Sequence, residues 1–194
     1  MTRRTTMRVV ACLTAGIVVL TGCTEKQEAS HTLPTTSAAE TTPKLPPLGP
    51  ETFPVPAQAR EKTPEGALAF AKYYIALGTE IGKGGASSQA LLDLSTPECR
   101  LCRQVAASFA TDQAAGYKHI GSSSTFEEYA LPRLSGDMAE LGFVYAQSAY
   151  TVVDANGNDV PSRAAPSTGD LQSGMLLEWR ADLMCWLVTS LTIG

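Results

Sequence analysis

An amphipathic helix that begins after residue 63 restricts the folds open to this chain. Thr63 is a typical N-cap, Pro64 suits the first helical position, and Glu65 places a negative charge at the positive end of the helix dipole. Apolar residues then recur on one helical face, at positions 67, 70, 74, 77 and 81. Gly82 and the residues 83–85 predict where the helix ends. Such a helix needs a second layer of structure to cover its apolar face.

Further helices and then strands follow this first helix. A short helix burying Leu91, Leu92 and Leu94 is expected first, and Thr96-Pro97-Glu98 repeats the start signal with Thr96 as the expected N-cap. Beyond Gly116 the sequence predicts strands over 117–120, 141–153, 159–160, 175–179 and 183–193, a turn over 154–158, and loops over 122–137 and 161–173. Helices followed by antiparallel strands predict an α+β fold, with the helices packed on one face of the sheet.

The first 22 residues have the pattern of a secretory signal peptide. A basic run over 2–8 precedes an apolar stretch, Val9 to Leu20, that is too short to cross a bilayer of about 30 Å as a helix. Leu20-Thr21-Gly22-Cys23 resembles a bacterial lipobox, which implies cleavage before Cys23 and a diacylglyceryl group on its thiol. Two acyl chains attach a protein stably, so we expect a lipid anchor on the extracytoplasmic face of the cell membrane. Arg3-Arg4 leaves twin-arginine export open beside general secretion.

The chain is therefore expected to have three parts. These are the signal peptide 1–22, the lipidated Cys23 with a disordered Pro/Thr-rich tether that runs to residue 60, and a single globular domain over 61–194. The signal peptide holds three arginines and no acids, so its removal takes the formal net charge from −4 to −7. An acidic chain without clustered Lys or Arg is a poor binder of nucleic acid and of anionic lipid head groups. We therefore expect the protein to contact the membrane through its lipid anchor.

The residues of the first helix also resemble those of a known family. Pro64, Gly66, Ala67, Ala69, Phe70, Tyr73 and Tyr74, with the pair Cys99/Cys102 and with Trp179 and Trp186, look like a family of uncharacterised actinobacterial lipoproteins. The resemblance covers about residues 54–192. It implies the nuclear-transport-factor-2-like cone fold, in which helices pack on a curved antiparallel sheet, and it implies no reaction. This sequence departs from the family's pattern in adding Cys185.

Cys99 and Cys102 form the sharpest chemical motif of the domain. Outside the cytoplasm thiols tend to be oxidised, and a three-residue offset in a helical turn brings two Cα atoms within bridging range. We therefore predict a disulfide between them and a buried free thiol at Cys185. A redox pair at a helix N-terminus stays open as an alternative. A metal site is disfavoured, because no second cysteine pair or nearby histidine completes four ligands.

The inner face of the first helix supplies the candidates for a ligand pocket. Phe70, Tyr74 and Leu77 are expected to be mainly core residues. Cone folds can leave a cavity beneath such residues, so the three are also candidates for its lining. His119 is the one histidine of residues 61–194, and it is a candidate acid or base beside Tyr74 or Asp112.

The sequence predicts no catalytic residues, no cofactor and no metal. It contains no Gly-x-Ser-x-Gly, His-Glu-x-x-His or comparable catalytic motif. We expect a non-catalytic binding or scaffolding lipoprotein of the cell envelope, whose partner is an envelope protein or a small ligand. Two alternatives stay open: a small-molecule isomerase or dehydratase of the cone fold, and a thiol–disulfide protein.

Overall fold

The computed structural model describes residues 47–194, so Cys23, the signal peptide and residues 24–46 of the predicted tether lie outside the described residues. The helices are Pro64–Gly82 (α1), Gln89–Asp93 (α2) and Arg100–Ala114 (α3), with two short 3-10 helices at Gln58–Arg60 and Pro161–Arg163. The strands are Lys118–Ile120 (β1), Ser124–Glu128 (β2), Arg133–Ser135 (β3), Met138–Gln147 (β4), Thr151–Val153 (β5), Leu171–Arg180 (β6) and Cys185–Thr192 (β7).

The residues that predict the start of α1 from the sequence also make the contacts that stabilise it in the structure. The Oγ1 of Thr63 accepts a hydrogen bond from the backbone N–H of Gly66 at 3.0 Å, and Pro64 occupies the first turn. Gly66 is needed for close packing, because a Cβ there would lie 2.2 Å from the carbonyl oxygen of Glu61. The predicted apolar face is buried, with Phe70 and Leu77 fully enclosed. The predicted bounds of this helix are confirmed.

The main sheet is antiparallel and runs in the order β2-β4-β6-β7, with β3 also paired to β4. A separate two-stranded sheet joins β1 to β5. The β6–β7 hairpin is the closing hairpin that the sequence predicts. Helices on a curved antiparallel sheet are the predicted α+β fold, which is therefore confirmed.

Three strand predictions are wrong. No strand forms over 159–160, where Asp159 makes only an isolated bridge to Val153. The expected loop over 122–137 contains β2 and β3, which were missed because β2 lies at the sheet edge and carries mostly exposed polar residues. The expected single strand over 141–153 is two strands in different sheets. Ser148 separates them, and its hydroxyl oxygen accepts from the backbone N–H of Ser123 at 2.9 Å, which turns the chain out of the sheet.

The α-helical region after α1 also needs two corrections. The third helix starts three residues later than Thr96 predicts, because Cys99 is the N-cap and its Sγ accepts from the N–H of Cys102 at 3.3 Å. Thr96 instead continues the sheet edge, where its N–H donates to the carbonyl of Val188 at 2.9 Å. Leu91 in α2 and Leu94 directly after it are buried as expected, whereas Leu92 is exposed.

Residues 48–60, which the sequence assigns to the tether, pack on the domain. Val55 and Ala59 are buried, and the ring of Phe53 stacks on that of Tyr73 with centroids 5.1 Å apart. The Arg60 guanidinium donates to the carbonyl of Leu183 at 2.7 Å, which ties this segment to the β6–β7 turn. Sparse apolar residues between the prolines are enough to dock the segment, so the folded part begins before residue 61.

The core lies between α1 and the concave face of the main sheet. Its largest enclosed side chains include Trp186, Phe70, Phe143 and Leu77. The indole N–H of Trp186 donates to the carbonyl of Glu61 at 2.9 Å, so the one polar atom of this ring is satisfied. Within residues 47–194, no helix combines the length and the apolar character needed to cross a membrane.

Candidate functional site

A cavity of about 580 Å³ opens between α1, α3 and the ends of β4 and β7. One wall is apolar and includes Ile75 of α1, Val105 and Phe109 of α3, and Ile193 after β7. The lining also contains a polar wall, which consists of the mutually bonded side chains Asp112, His119 and Arg163. The volume falls in the range of about 300–1,000 Å³ that is usual for small-molecule sites.

Asp112 is the centre of the polar wall. It lies in the last turn of α3 and is 5% exposed. Its Oδ2 lies 3.2 Å from Nε2 of His119, and its Oδ1 accepts from Nη2 of Arg163. Its own carbonyl accepts from the N–H of Tyr117 at 2.9 Å, which fixes the turn into β1. A buried carboxylate thus has hydrogen-bond donors at both oxygens, as burial of a charge requires.

The side chain of His119, on β1, contacts residues of α1 and α3 and the ring of Tyr150. Because a carboxylate only accepts hydrogen bonds, the Nε2 that faces Asp112 carries the proton. The other ring nitrogen, Nδ1, lies 2.8 Å from the place that a Cβ would take on Gly82, so it faces the backbone of α1. The ring stacks on Tyr150 with centroids 4.4 Å apart, and Phe109 lies 5.8 Å away on a tilted plane. The imidazole therefore joins α1, α3 and β1.

Arg163 comes from a covering segment, residues 159–168, that lies over the cavity. Ala165 and Tyr150 exchange two backbone hydrogen bonds of 3.0 and 3.1 Å. The N–H of Thr168 donates to the carbonyl of Gln147 at 3.0 Å, and the N–H of Gln147 donates back to the Thr168 hydroxyl at 2.9 Å. The covering segment is thus fixed to the end of β4 and to the residues that follow it, and Arg163 is directed onto Asp112.

Tyr74 lines the cavity with its hydroxyl already engaged. Its O–H donates to the carbonyl of Leu91 at 3.2 Å, and the residue is 3% exposed. Burial raises the pKa of this phenol far above its ordinary value, against a smaller lowering effect of Ser95. Burial also raises the pKa of Tyr145, which lines the cavity from β4. Both phenols stay neutral near pH 7 and shape the wall without adding charge.

The four predicted pocket residues divide into two groups. Tyr74 and His119 line the cavity, whereas Phe70 and Leu77 are fully enclosed in the core and do not reach it. The pairing of His119 with Asp112, one of two partners considered from the sequence, is the one observed. Arg163 was missed because it lies in a region that reads as loop, with no periodicity to place it.

The cysteine prediction is confirmed. Cys99 and Cys102 are bonded to each other with their Cα atoms 5.3 Å apart, and Cys185 is a free buried thiol. Both bonded cysteines are 1% exposed, so the disulfide is enclosed in the described structure. Burial raises the pKa of the Cys185 thiol to about 11, with the nearby Arg60 acting in the opposite direction.

Among residues 47–194, no three His, Cys, Asp or Glu side chains lie together in a group that could hold a metal ion.

No protein-family model matches this chain, and no curated protein matches it. Among solved structures it is similar to the intermembrane-space region of the chloroplast protein ARC6, at 10% identity and a TM-score of 0.51, over 69% of this chain and 97% of that one. It is also matched to a nuclear-transport-factor-2-like superfamily protein from Salmonella enterica, at 16% identity and a TM-score of 0.36, over 66% and 92%. A protein from Catenulispora acidiphila matches at 12% identity and a TM-score of 0.40, over 66% and 91%. At these identities the likeness to the ARC6 region shows the fold alone, and the resemblance to a lipoprotein family stays a prediction.

Proposed function

We propose that this protein is a lipid-anchored binding module of the cell envelope, whose folded part takes up a small, partly apolar ligand. The observation that carries the proposal is the cavity of about 580 Å³, whose lining combines apolar side chains with a few polar ones. Apolar surface supplies affinity in such sites, and a few fixed polar groups supply orientation. The anchor itself is inferred from the sequence at Cys23.

The geometry of His119 favours binding over catalysis. A general base needs a ring nitrogen within hydrogen-bond reach of its substrate. Here Nε2 is bonded to Asp112 and Nδ1 faces Gly82, so neither nitrogen is directed at a ligand. The isomerase or dehydratase alternative would need the ring to leave its stack with Tyr150. The enclosed disulfide likewise supports a structural role over thiol exchange.

Filling the cavity from α1 tests the proposal. Gly78 lines the cavity, and a Cβ there would meet Phe109 at an ordinary contact distance of 3.9 Å, so Gly78→Leu adds a side chain to the empty space. Ala107 lies exposed on α3 outside the lining, so Ala107→Leu adds the same bulk elsewhere. The probe is N-phenyl-1-naphthylamine, a neutral dye that fluoresces when it leaves water.

The wild type and Ala107→Leu should brighten the dye saturably, and Gly78→Leu should lose most of that signal. Equal brightening by all three proteins would place the dye outside the cavity and contradict the proposal. No brightening by the wild type would contradict it as well. Circular dichroism of each variant confirms that the fold is retained.

A further inference from the structure

Arg163 has more hydrogen-bond donors than the structure uses. A guanidinium carries five N–H groups. One of them donates to Asp112, and Nε is enclosed without any partner. The side chain is 37% exposed and lies in the lining of the cavity. Unpaired donors beside a cavity are costly unless an acceptor can reach them.

The charges of the polar wall favour one class of ligand over the others. Asp112 is already bonded at both oxygens, by His119 and by Arg163, so a cation would have to displace one of these donors. The remaining polar lining includes the hydroxyls of Thr79 and Ser122 and adds no negative charge. An anionic group would meet the unused N–H groups of the Arg163 Nη atoms, not the enclosed Nε, without displacing a bond that the structure contains.

The apolar part of the lining sets the rest of the ligand. Ile75, Leu101, Val105 and Ile193 present aliphatic surface to the same cavity as Arg163. A ligand that satisfies both walls has a planar anion at one end, which the guanidinium fork can bind through two parallel hydrogen bonds, and an apolar body at the other.

We propose that the ligand is an organic carboxylate with an apolar body, and that Arg163 is the residue that selects the carboxylate. This inference rests on the binding function proposed above and adds the chemical class of the ligand. Asp112 and His119 position the guanidinium, since Asp112 orients it and His119 holds Asp112.

Three probes of equal length and different charge test the inference: octanoate, octanamide and octylamine at pH 7, each displacing N-phenyl-1-naphthylamine. Octanoate should bind at least about tenfold more tightly than octanamide, because charge-assisted hydrogen bonds are stronger than neutral ones. Arg163→Gln should remove that difference, and Arg163→Lys should restore part of it. Arg133→Gln changes an exposed arginine of β3 outside the lining and should leave binding unchanged.

Asp112→Asn provides a second readout that does not depend on removing Arg163. Asn offers one acceptor where Asp112 offers two, so it cannot hold both Arg163 and His119. The guanidinium is then less well positioned, and the preference for octanoate over octanamide should shrink. Thermal melting of each variant identifies any loss of folding.

Three outcomes would overturn the carboxylate inference and leave the binding function standing. They are equal affinity for octanoate and octanamide, tightest binding of octylamine, and unchanged octanoate binding in a folded Arg163→Gln. An unchanged preference for octanoate in a folded Asp112→Asn would contradict the positioning role of Asp112. A dye that never enters the cavity, with no probe bound, would overturn both the carboxylate inference and the binding function.

Discussion

Asp112 and His119 are bonded across the turn between α3 and β1, with Oδ2 and Nε2 3.2 Å apart and both side chains buried. The bond closes the polar wall of the cavity, because Asp112 also receives Arg163 from the covering segment. Three parts of the chain that are separate in sequence thus meet at one carboxylate. The same contact leaves the imidazole without a nitrogen directed at a ligand, which supports a binding role.

The close approach of His119 to α1 predicts opposite effects at two glycines of the same helix. A Cβ on Gly82 would lie 2.8 Å from Nδ1 of His119, so Gly82→Ala should destabilise the protein by about 1–3 kcal/mol through overpacking. A Cβ on Gly78 has room, so Gly78→Ala should stabilise it by up to about 1 kcal/mol through helix propensity. Urea unfolding of both variants measures the difference. Equal stabilisation by the two would contradict the described position of His119.

The disulfide predicts a single reactive thiol. The mature protein, unfolded and alkylated without reduction, should carry one label, on Cys185, by mass spectrometry. Reduction should lower the free energy of unfolding by about 2 kcal/mol, because a bond that closes so few residues restricts the unfolded chain little. A label on Cys99 or Cys102 would reopen the redox and metal alternatives. Cys99→Ser/Cys102→Ala is the matched control, since serine keeps the N-cap acceptor.

Alkaline pH should destabilise the fold through two buried acids. Burial raises the pKa of Cys185 from 9.0 to about 11, and it raises that of Tyr73 from 10.0 to about 12, with Cys185 adding to the second effect. Both groups are neutral when folded, so their contribution is complete below about pH 9 and is lost as the pH rises through 11 and 12.

Stability measured between pH 8 and pH 11 should therefore fall by up to about 1.4 kcal/mol per pH unit for each group that titrates. Cys185→Ala should be less stable at pH 8 because of the space it leaves, and its loss with rising pH should be shallower. A profile as steep as that of the wild type would mean that Cys185 does not contribute. Because each pH profile is measured within one protein, the pH-independent loss of stability caused by Cys185→Ala does not affect the comparison of the two slopes.

The sequence-based anchor leads to a prediction in cells. Cys23→Ser should move the protein out of the membrane fraction or leave it unprocessed, because the two acyl chains are the expected attachment. Detergent phase partitioning and the mass of the protein measure both effects. Thr24→Ser is a control that leaves the lipobox cysteine in place. Unchanged partitioning of Cys23→Ser would contradict the lipobox interpretation.

The helical layer and the closing hairpin could be predicted because their signals are local. The Thr63 cap and the apolar periodicity of α1 specify a helix without reference to the rest of the chain. β2 could not be predicted, because an edge strand with Glu127 and Glu128 exposed lacks the alternation of a half-buried strand. The packing of Val55 and Ala59 was missed for a related reason, since docking of a proline-rich segment depends on the surface it meets.

The candidate site was predictable only in part. Asp112 was one of two partners considered for His119, and the sequence alone does not choose between it and Tyr74. Arg163 reaches the cavity through long-range contacts of the covering segment with Gln147 and Tyr150, and no pattern in residues 159–168 encodes those contacts. Phe70 and Leu77 share a helical face with Tyr74, and spacing alone cannot tell which part of that face borders the core and which the cavity.

Methyl-resolved nuclear magnetic resonance of the folded domain, titrated with octanamide, tests most directly whether the cavity is a ligand site. A neutral probe keeps the test independent of Arg163. The methyl groups of Ile75, Val105 and Ile193 should shift together and saturably, while those of Leu177, enclosed in the core, and of Leu131, exposed elsewhere, should stay unchanged. Shifts centred on Leu131, or none at the three cavity residues, would contradict the account.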